Sequence, residues 1–300
     1  MKPILIPVTF LILVLISCNK KNTSETTANA MTSAAQDTLL SKKGYSEVNG
    51  IKMYYELYGE GKPLVLIHGG GSTIQTSFGR IIPLLATTRQ LIAVELQAHG
   101  RTGDRSSGIS FEQDADDVAA LLKNLNITKA DFLGFSNGGN TALQIAIRHP
   151  QLCNKIIAAS VLLKRTGALP QFWEFMKNGT FEQMPQHYKD AFISVTPDSA
   201  KLMTMYRKCA DRMIHFNDFT DEQIKSITAP VLLINGDRDV ATPEHMVAMS
   251  KLITDCRLAI IPGGHGAYIG EITTLRPGYK ETDFSIPLMK NFLEEDTAAK

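Results

Sequence analysis

The 300-residue chain reads as an α/β fold, a mostly parallel central sheet with helices on both faces, and three observations predict it. Short apolar runs alternate with stretches of helical spacing along most of the sequence. Residue types able to do chemistry fall just past the ends of those runs, where open sheets of this class bind their ligands. A serine, Ser136, sits in Gly134-Phe135-Ser136-Asn137-Gly138, wedged between an apolar run and a helix-spaced stretch.

The elements follow in order. Tyr45 to Tyr58 reads as a hairpin about Asn49-Gly50, a type I′ turn signal. Gly59 to Pro63 turns the chain into Leu64-Val65-Leu66-Ile67, a buried strand that runs into His68-Gly69-Gly70-Gly71. A helix is expected near Ser77 to Leu85, a strand near Leu91 to Glu95 and a helix near Phe111 to Leu125. Ala130 to Phe135 is the strand before the serine. The helix after it, to His149, carries Ala142, Leu143, Ala146 and Ile147 on one face. A strand near Lys155 to Ser160 comes next. Between about 162 and 229 the alternation stops, and short helical pieces are separated by Gly179, Pro185 and Pro197. A helical cap inserted after the sixth strand fits this stretch, since a cap excludes water and supplies much of a substrate pocket. Val231 to Ile234 then ends in Asn235-Gly236-Asp237-Arg238-Asp239, and Leu258 to Ile261 ends in Pro262-Gly263-Gly264-His265-Gly266.

Composition bounds the rest. With 44% apolar and 20% charged residues the chain can bury one large core. Its formal net charge is +1, with no long basic block, so nucleic acid is not an expected partner. The first eighteen residues read as a targeting segment: Lys2, then an apolar stretch from Ile4 to Ile16. It closes with Leu15-Ile16-Ser17-Cys18, which looks like a bacterial lipobox and makes Cys18 the candidate lipidation site. Residues 19–43 are polar and small and read as a flexible tether, leaving 44–300 as the globular domain. The expectation is an exported protein hung from a bacterial membrane by a lipid. Cys153, Cys209 and Cys256 remain, an odd count that leaves at least one thiol free. No metal-ligand spacing occurs, so neither a metal nor a cofactor is expected.

Several of these motifs together carry a family likeness: His68-Gly69-Gly70-Gly71, His99-Gly100-Arg101-Thr102, Gly134 to Gly139, Gly236-Asp237-Arg238-Asp239 and Gly264-His265. From about Gly44 to Phe292 the chain resembles the capped α/β-hydrolase superfamily. More narrowly, it resembles the group holding esterases, perhydrolase-like enzymes, enol-lactonases, carbon–carbon bond hydrolases and proline iminopeptidases. The chain order Ser, Asp, His is the order associated with that fold.

Ser136 is the candidate nucleophile, at a strand-to-helix turn that exposes its hydroxyl. His265, in a glycine-flanked loop, is the candidate base. Asp237 and Asp239 are both placed to orient it. The resemblance implies the last residue of a Gly-x-x-Asp turn, Asp239, with Asp237 left as a turn residue. The backbone N–H groups of Asn137 and Gly70 are the candidate oxyanion donors. Gly71 is a secondary donor, expected beside the substrate with the cap aromatics Phe172 and Trp173. His68 is implied to hold the neighbouring loop. The resulting expectation is a serine hydrolase that cleaves a carboxylic ester or related acyl bond of a small molecule through an acyl-enzyme. Its rivals are a proline-releasing aminopeptidase, for which Glu174, Glu182 and Asp190 are the available cap acids, a carbon–carbon bond hydrolase, and a non-catalytic small-molecule binder.

Overall fold

The structure, a computed structural model, describes residues 39–295. The expected leader, Cys18 and the tether up to residue 38 lie outside the described residues. Eight strands form one sheet: β1 Leu40–Val48, β2 Ile51–Tyr58, β3 Lys62–Ile67, β4 Arg89–Val94, β5 Ala130–Phe135, β6 Cys153–Ala159, β7 Val231–Gly236 and β8 Cys256–Ile261. Their spatial order is β1-β2-β4-β3-β5-β6-β7-β8. The β1–β2 and β2–β4 pairs are antiparallel and every later pair is parallel. The hairpin turn has Asn49 at φ 44° and Gly50 at φ 86°, the left-handed pair that a type I′ turn requires.

Helices cover both faces. One face carries α3 (Phe111–Asn124), α4 (Asn137–Arg148) and α9 (Pro243–Ser250); the other carries α1 (Ile74–Phe78), α2 (Ile82–Leu85) and α10 (Thr282–Glu294). Between them Leu64, Val65, Leu66 and Ile67 of β3 are fully buried, as both-sided cover demands. Each such side chain contributes roughly 1.5–3 kcal/mol on leaving water.

Two expectations need correction. The tether is expected to run to residue 43, but β1 begins at Leu40. Ser41, Lys42 and Lys43 are exposed on this edge strand, so its composition looks like that of a solvated linker. The helix expected over Ser77 to Leu85 is two short helices. Gly79 caps the first, and Pro83 opens the second, where its missing N–H costs nothing.

Between β6 and β7 lie α5 (Pro170–Asn178), α6 (Gln186–Val195), α7 (Ser199–Ile214) and α8 (Asp221–Lys225). The Asp198 carboxylate caps α7, accepting from the N–H groups of Ala200 and Lys201. Arg212 of α7 reaches Asp114 of α3 at 2.7 Å with both side chains buried, and its guanidinium lies over the Phe111 ring. A turn earlier, the Lys208 ammonium donates to Asp104 and to the carbonyls of Arg105 and Ser107. Cys153, Cys209 and Cys256 are all free thiols. Among the described residues no helix is long and apolar enough to cross a membrane.

Candidate active site

The β5–α4 junction places Ser136 as expected, and the backbone there explains its neighbours. Ser136 has φ 53° and ψ −121°, a strained conformation that turns its side chain off the end of the strand. Its N–H is held by the Ala159 carbonyl at 2.7 Å. A Cβ on Gly134 would fall 2.1 Å from the Gly138 carbonyl oxygen. One on Gly138 would fall 2.1 Å from that of Ile67. Both positions therefore require glycine.

The end of β7 brings the acid to the histidine. Asp239 Oδ1 accepts from His265 Nδ1 at 2.6 Å and from the Val240 N–H at 2.6 Å. Asp237 makes no such contact; its Oδ1 accepts from the Gly263 N–H at 2.8 Å and closes the loop that carries His265. Burial pushes the Asp239 carboxyl upward, but the opposing imidazole, the hydroxyl of Ser160 and the Val240 N–H outweigh it. The group is held below the ordinary carboxylate range. Burial likewise pulls His265 down, and the Asp239 charge and hydrogen bond overcome it, leaving His265 above its ordinary value. The Phe135 ring packs 4.8 Å from the imidazole.

On the other side of Ser136 lies the loop after β3. His68 is fully buried; its Nδ1 faces the Gly69 carbonyl at 2.7 Å and its Nε2 accepts from the Leu96 N–H. Burial and the neighbouring His99 keep it well below the ordinary value, and with both ring nitrogens engaged it braces the loop. His99 braces the next loop in the same way. Its Nε2 accepts from the Gly71 N–H at 3.0 Å, with the Cys209 sulfur 3.2 Å from the same nitrogen. Burial brings His99 down to about 4. The Gly71 N–H is thus engaged away from any acyl oxygen. Gly70 and Asn137 remain as the backbone donors adjoining Ser136, and a Cβ on Gly70 would fall 2.3 Å from Asn137 Nδ2.

Ser136, Asn137, Gly70, Gly71 and His265 share one cavity of about 540 Å³ beneath the cap helices. Its outer wall is apolar: Phe172, Phe175, Met176, Met184, Met205 and Met213 stand around it. Of the two cap aromatics expected at the substrate, Phe172 lines the cavity and Trp173 does not. The Trp173 indole donates to the Arg165 carbonyl at 2.8 Å, and its ring lies under the Arg165 guanidinium and against Phe216. It ties the cap together from behind.

Two residues of the site escaped the sequence reading. Ser160, at the end of β6, donates to Asp239 Oδ2 at 2.6 Å, and Tyr268 stands behind it at 2.8 Å. The positional rule that exposed the other groups applied to Ser160 too, since it is the first polar residue past a buried strand.

A family model for the alpha/beta hydrolase fold matches residues 62–221, more than half of the chain. This chain is an α/β-hydrolase. Over 264 residues the hydrolase is 24% identical to a non-heme chloroperoxidase of Kitasatospora aureofaciens, covering 78% of this chain and 93% of that one. It is also 24% identical to a bifunctional esterase/perhydrolase of Acinetobacter calcoaceticus, over 76% of this chain and 94% of the relative. Among solved structures, the enol-lactonase from Burkholderia xenovorans LB400 superposes with a TM-score of 0.65 at 19% identity. That match covers 84% of this chain and all of the lactonase, and it speaks to the fold alone.

Proposed function

We propose that this α/β-hydrolase cleaves a carboxylic ester or related acyl bond of an uncharged, largely apolar small molecule, with Ser136, His265 and Asp239 as nucleophile, base and orienting acid. The observation that carries the reading is the cavity wall. It joins Ser136 to the His265–Asp239 pair, and none of the described residues lining it is an Asp, Glu, Lys or Arg. An aminopeptidase must hold an ammonium ion, and a hydrolase of keto-acids must hold a carboxylate; either ion left unpaired in such a chamber is costly. The cap acids considered for an amine are elsewhere. Glu174 accepts from Asn178, Asp190 accepts from Gln186, and Glu182 is exposed.

The chemistry follows from the geometry. Asp239 accepts a hydrogen bond from Nδ1–H, which keeps that proton on Nδ1 and leaves Nε2 of His265 as the basic nitrogen. That nitrogen removes the Ser136 proton as the oxygen attacks the carbonyl. The developing oxyanion lies against the N–H groups of Gly70 and Asn137, each worth roughly 3–4 kcal/mol if lost. His265 then protonates the leaving alcohol, and water repeats the sequence on the acyl-enzyme. The proposal also keeps the enzyme tethered through a lipid on Cys18, on the strength of Leu15-Ile16-Ser17-Cys18.

The test is a fluorophosphonate probe on the purified chain, with the adduct mapped by mass spectrometry beside Ser136→Ala and His265→Ala. An adduct on Ser136 that His265→Ala abolishes is expected. Turnover should favour a p-nitrophenyl octanoate over esters of the same length ending in carboxylate or ammonium. A folded protein with no adduct would make the site a binder, and a preference for the ammonium-bearing substrate would move the reading to the aminopeptidase.

A further inference from the structure

We propose that Ser160 is a positioning residue of this active site, its hydroxyl locking the Asp239 carboxylate and its backbone joining the serine strand to the acid strand. The inference rests on the assignment of Ser136, His265 and Asp239 above.

The placement comes from the sheet. β6 lies between β5, which ends at the nucleophile, and β7, which ends at the acid. The backbone links at the end of β6 reach both ways: the Ala159 carbonyl accepts from the Ser136 N–H at 2.7 Å, and the N–H of Ser160, just past the strand, donates to the Ile234 carbonyl at 2.8 Å. A shift of this strand end would therefore move serine and acid together.

The side chain completes the arrangement. An ionised carboxylate only accepts, so Ser160 is the donor in its 2.6 Å bond to Asp239 Oδ2. The Ser160 oxygen lies 2.8 Å from the Tyr268 hydroxyl, whose single proton is shared between it and the Ile234 carbonyl at 3.0 Å. Asp239 then has donors on both oxygens. His265 and Val240 serve Oδ1; Ser160 and, more distantly at 3.3 Å, the Gly236 N–H serve Oδ2. Rotation of the carboxylate would break all of these at once. Ser160 and Tyr268 are both buried, and Ser160 also borders the cavity.

The backbone gives an independent reason to assign a role to the hydroxyl. Ser160 has φ 54°, a conformation that glycine or asparagine adopts at lower cost than serine. A strained serine at a strand end, bonded to the acid, is kept for its oxygen.

Glycine is for the same reason the informative substitution, since it relaxes the backbone while deleting the hydroxyl. In the full chain, Ser160→Gly should lower kcat about tenfold, the loss of one charge-assisted hydrogen bond, with KM within about twofold. The negative charge of Asp239, no longer shared with a donor on Oδ2, concentrates toward His265. The acid limb of kcat/KM should therefore move to higher pH, and the downfield proton resonance of His265 Nδ1–H should shift. Ser160→Cys, a weaker donor, should fall between glycine and wild type. Tyr268→Phe should give a smaller change of the same sign and supplies the test should the glycine variant not fold. Wild-type kcat and an unmoved limb in folded Ser160→Gly or Tyr268→Phe would overturn the proposal. So would a change confined to KM, which would make Ser160 a piece of cavity wall. Asp239→Ala separates the two levels: full activity there would sink the triad assignment itself, whereas its loss beside a wild-type Ser160→Gly would sink this inference alone.

Discussion

Two helices of the cap, α5 and α7, share the cavity wall yet are held in different ways. α7 is fastened to the body by the buried Arg212–Asp114 pair, by Lys208 on three acceptors and by Cys209 against His99. None of the residues of α5 is buried; Phe175 is 49% exposed, and Leu169 just before the helix is 62% exposed. Its link to the neighbouring loop runs through Trp173 and Arg165, within the cap itself. The difference teaches where adaptation belongs. α7 forms a fixed ceiling beside the loop after β3, and α5 is the side of the wall with few buried contacts to lose, where a ligand would meet least resistance.

The largest effect should come from beneath both helices. Asp239→Asn should lower kcat roughly 10³–10⁴-fold by presenting the wrong histidine tautomer. It should also move the acid limb. His265 must be neutral to act, and its raised value means that wild-type kcat/KM is lost as pH falls through a point above 6.5. Removing the charge leaves burial to dominate, so the limb should drop below that point; a pH–rate profile of each protein checks it.

Next comes α7. Arg212→Ala strands the Asp114 carboxylate in the core and should cost about 3–5 kcal/mol, or roughly 10 °C in Tm by calorimetry. Replacing both partners with apolar residues, Arg212→Met with Asp114→Leu, should recover most of it. A Tm unchanged in the single variant would erase the contrast between the two helices.

The smallest effect belongs to α5. Phe175→Ala should leave Tm within about 1 °C while raising KM about threefold for a long acyl ester and hardly at all for an acetate. A destabilisation as large as that of Arg212→Ala would show that α5 is anchored after all.

The same contrast explains what could be read from the sequence. Ser136, Asp239 and His265 each follow a strand of consecutive apolar residues and sit among glycines, so local pattern alone reports their place. The central strands were legible for the same reason, β5, β7 and Leu64 to Ile67 of β3 being buried on both faces. What holds the site together was not. Arg212 meets Asp114 across ninety-eight residues, and no periodicity links them. Ser160 and Tyr268 act through a hydroxyl pair 108 residues apart. Trp173 looked like a substrate contact by type, and only three-dimensional packing turned it toward Arg165. The start of β1 was hidden by its own lysines, which an edge strand carries for solubility.

The uncharged chamber has a consequence for the end of each cycle. On the proposed reading a neutral ester enters at less cost than an ion, but the acid released from it ionises at neutral pH. Among the described lining residues there is no lysine or arginine to pair with it, so away from the polar end around Ser136 and His265 a carboxylate against the methionine and phenylalanine wall is worse solvated than in water. Hydrolysis of the proposed substrate would thus convert a guest that suits the chamber into one that suits it less, and the free acid should be a poor inhibitor at pH 7 that improves as the medium is acidified.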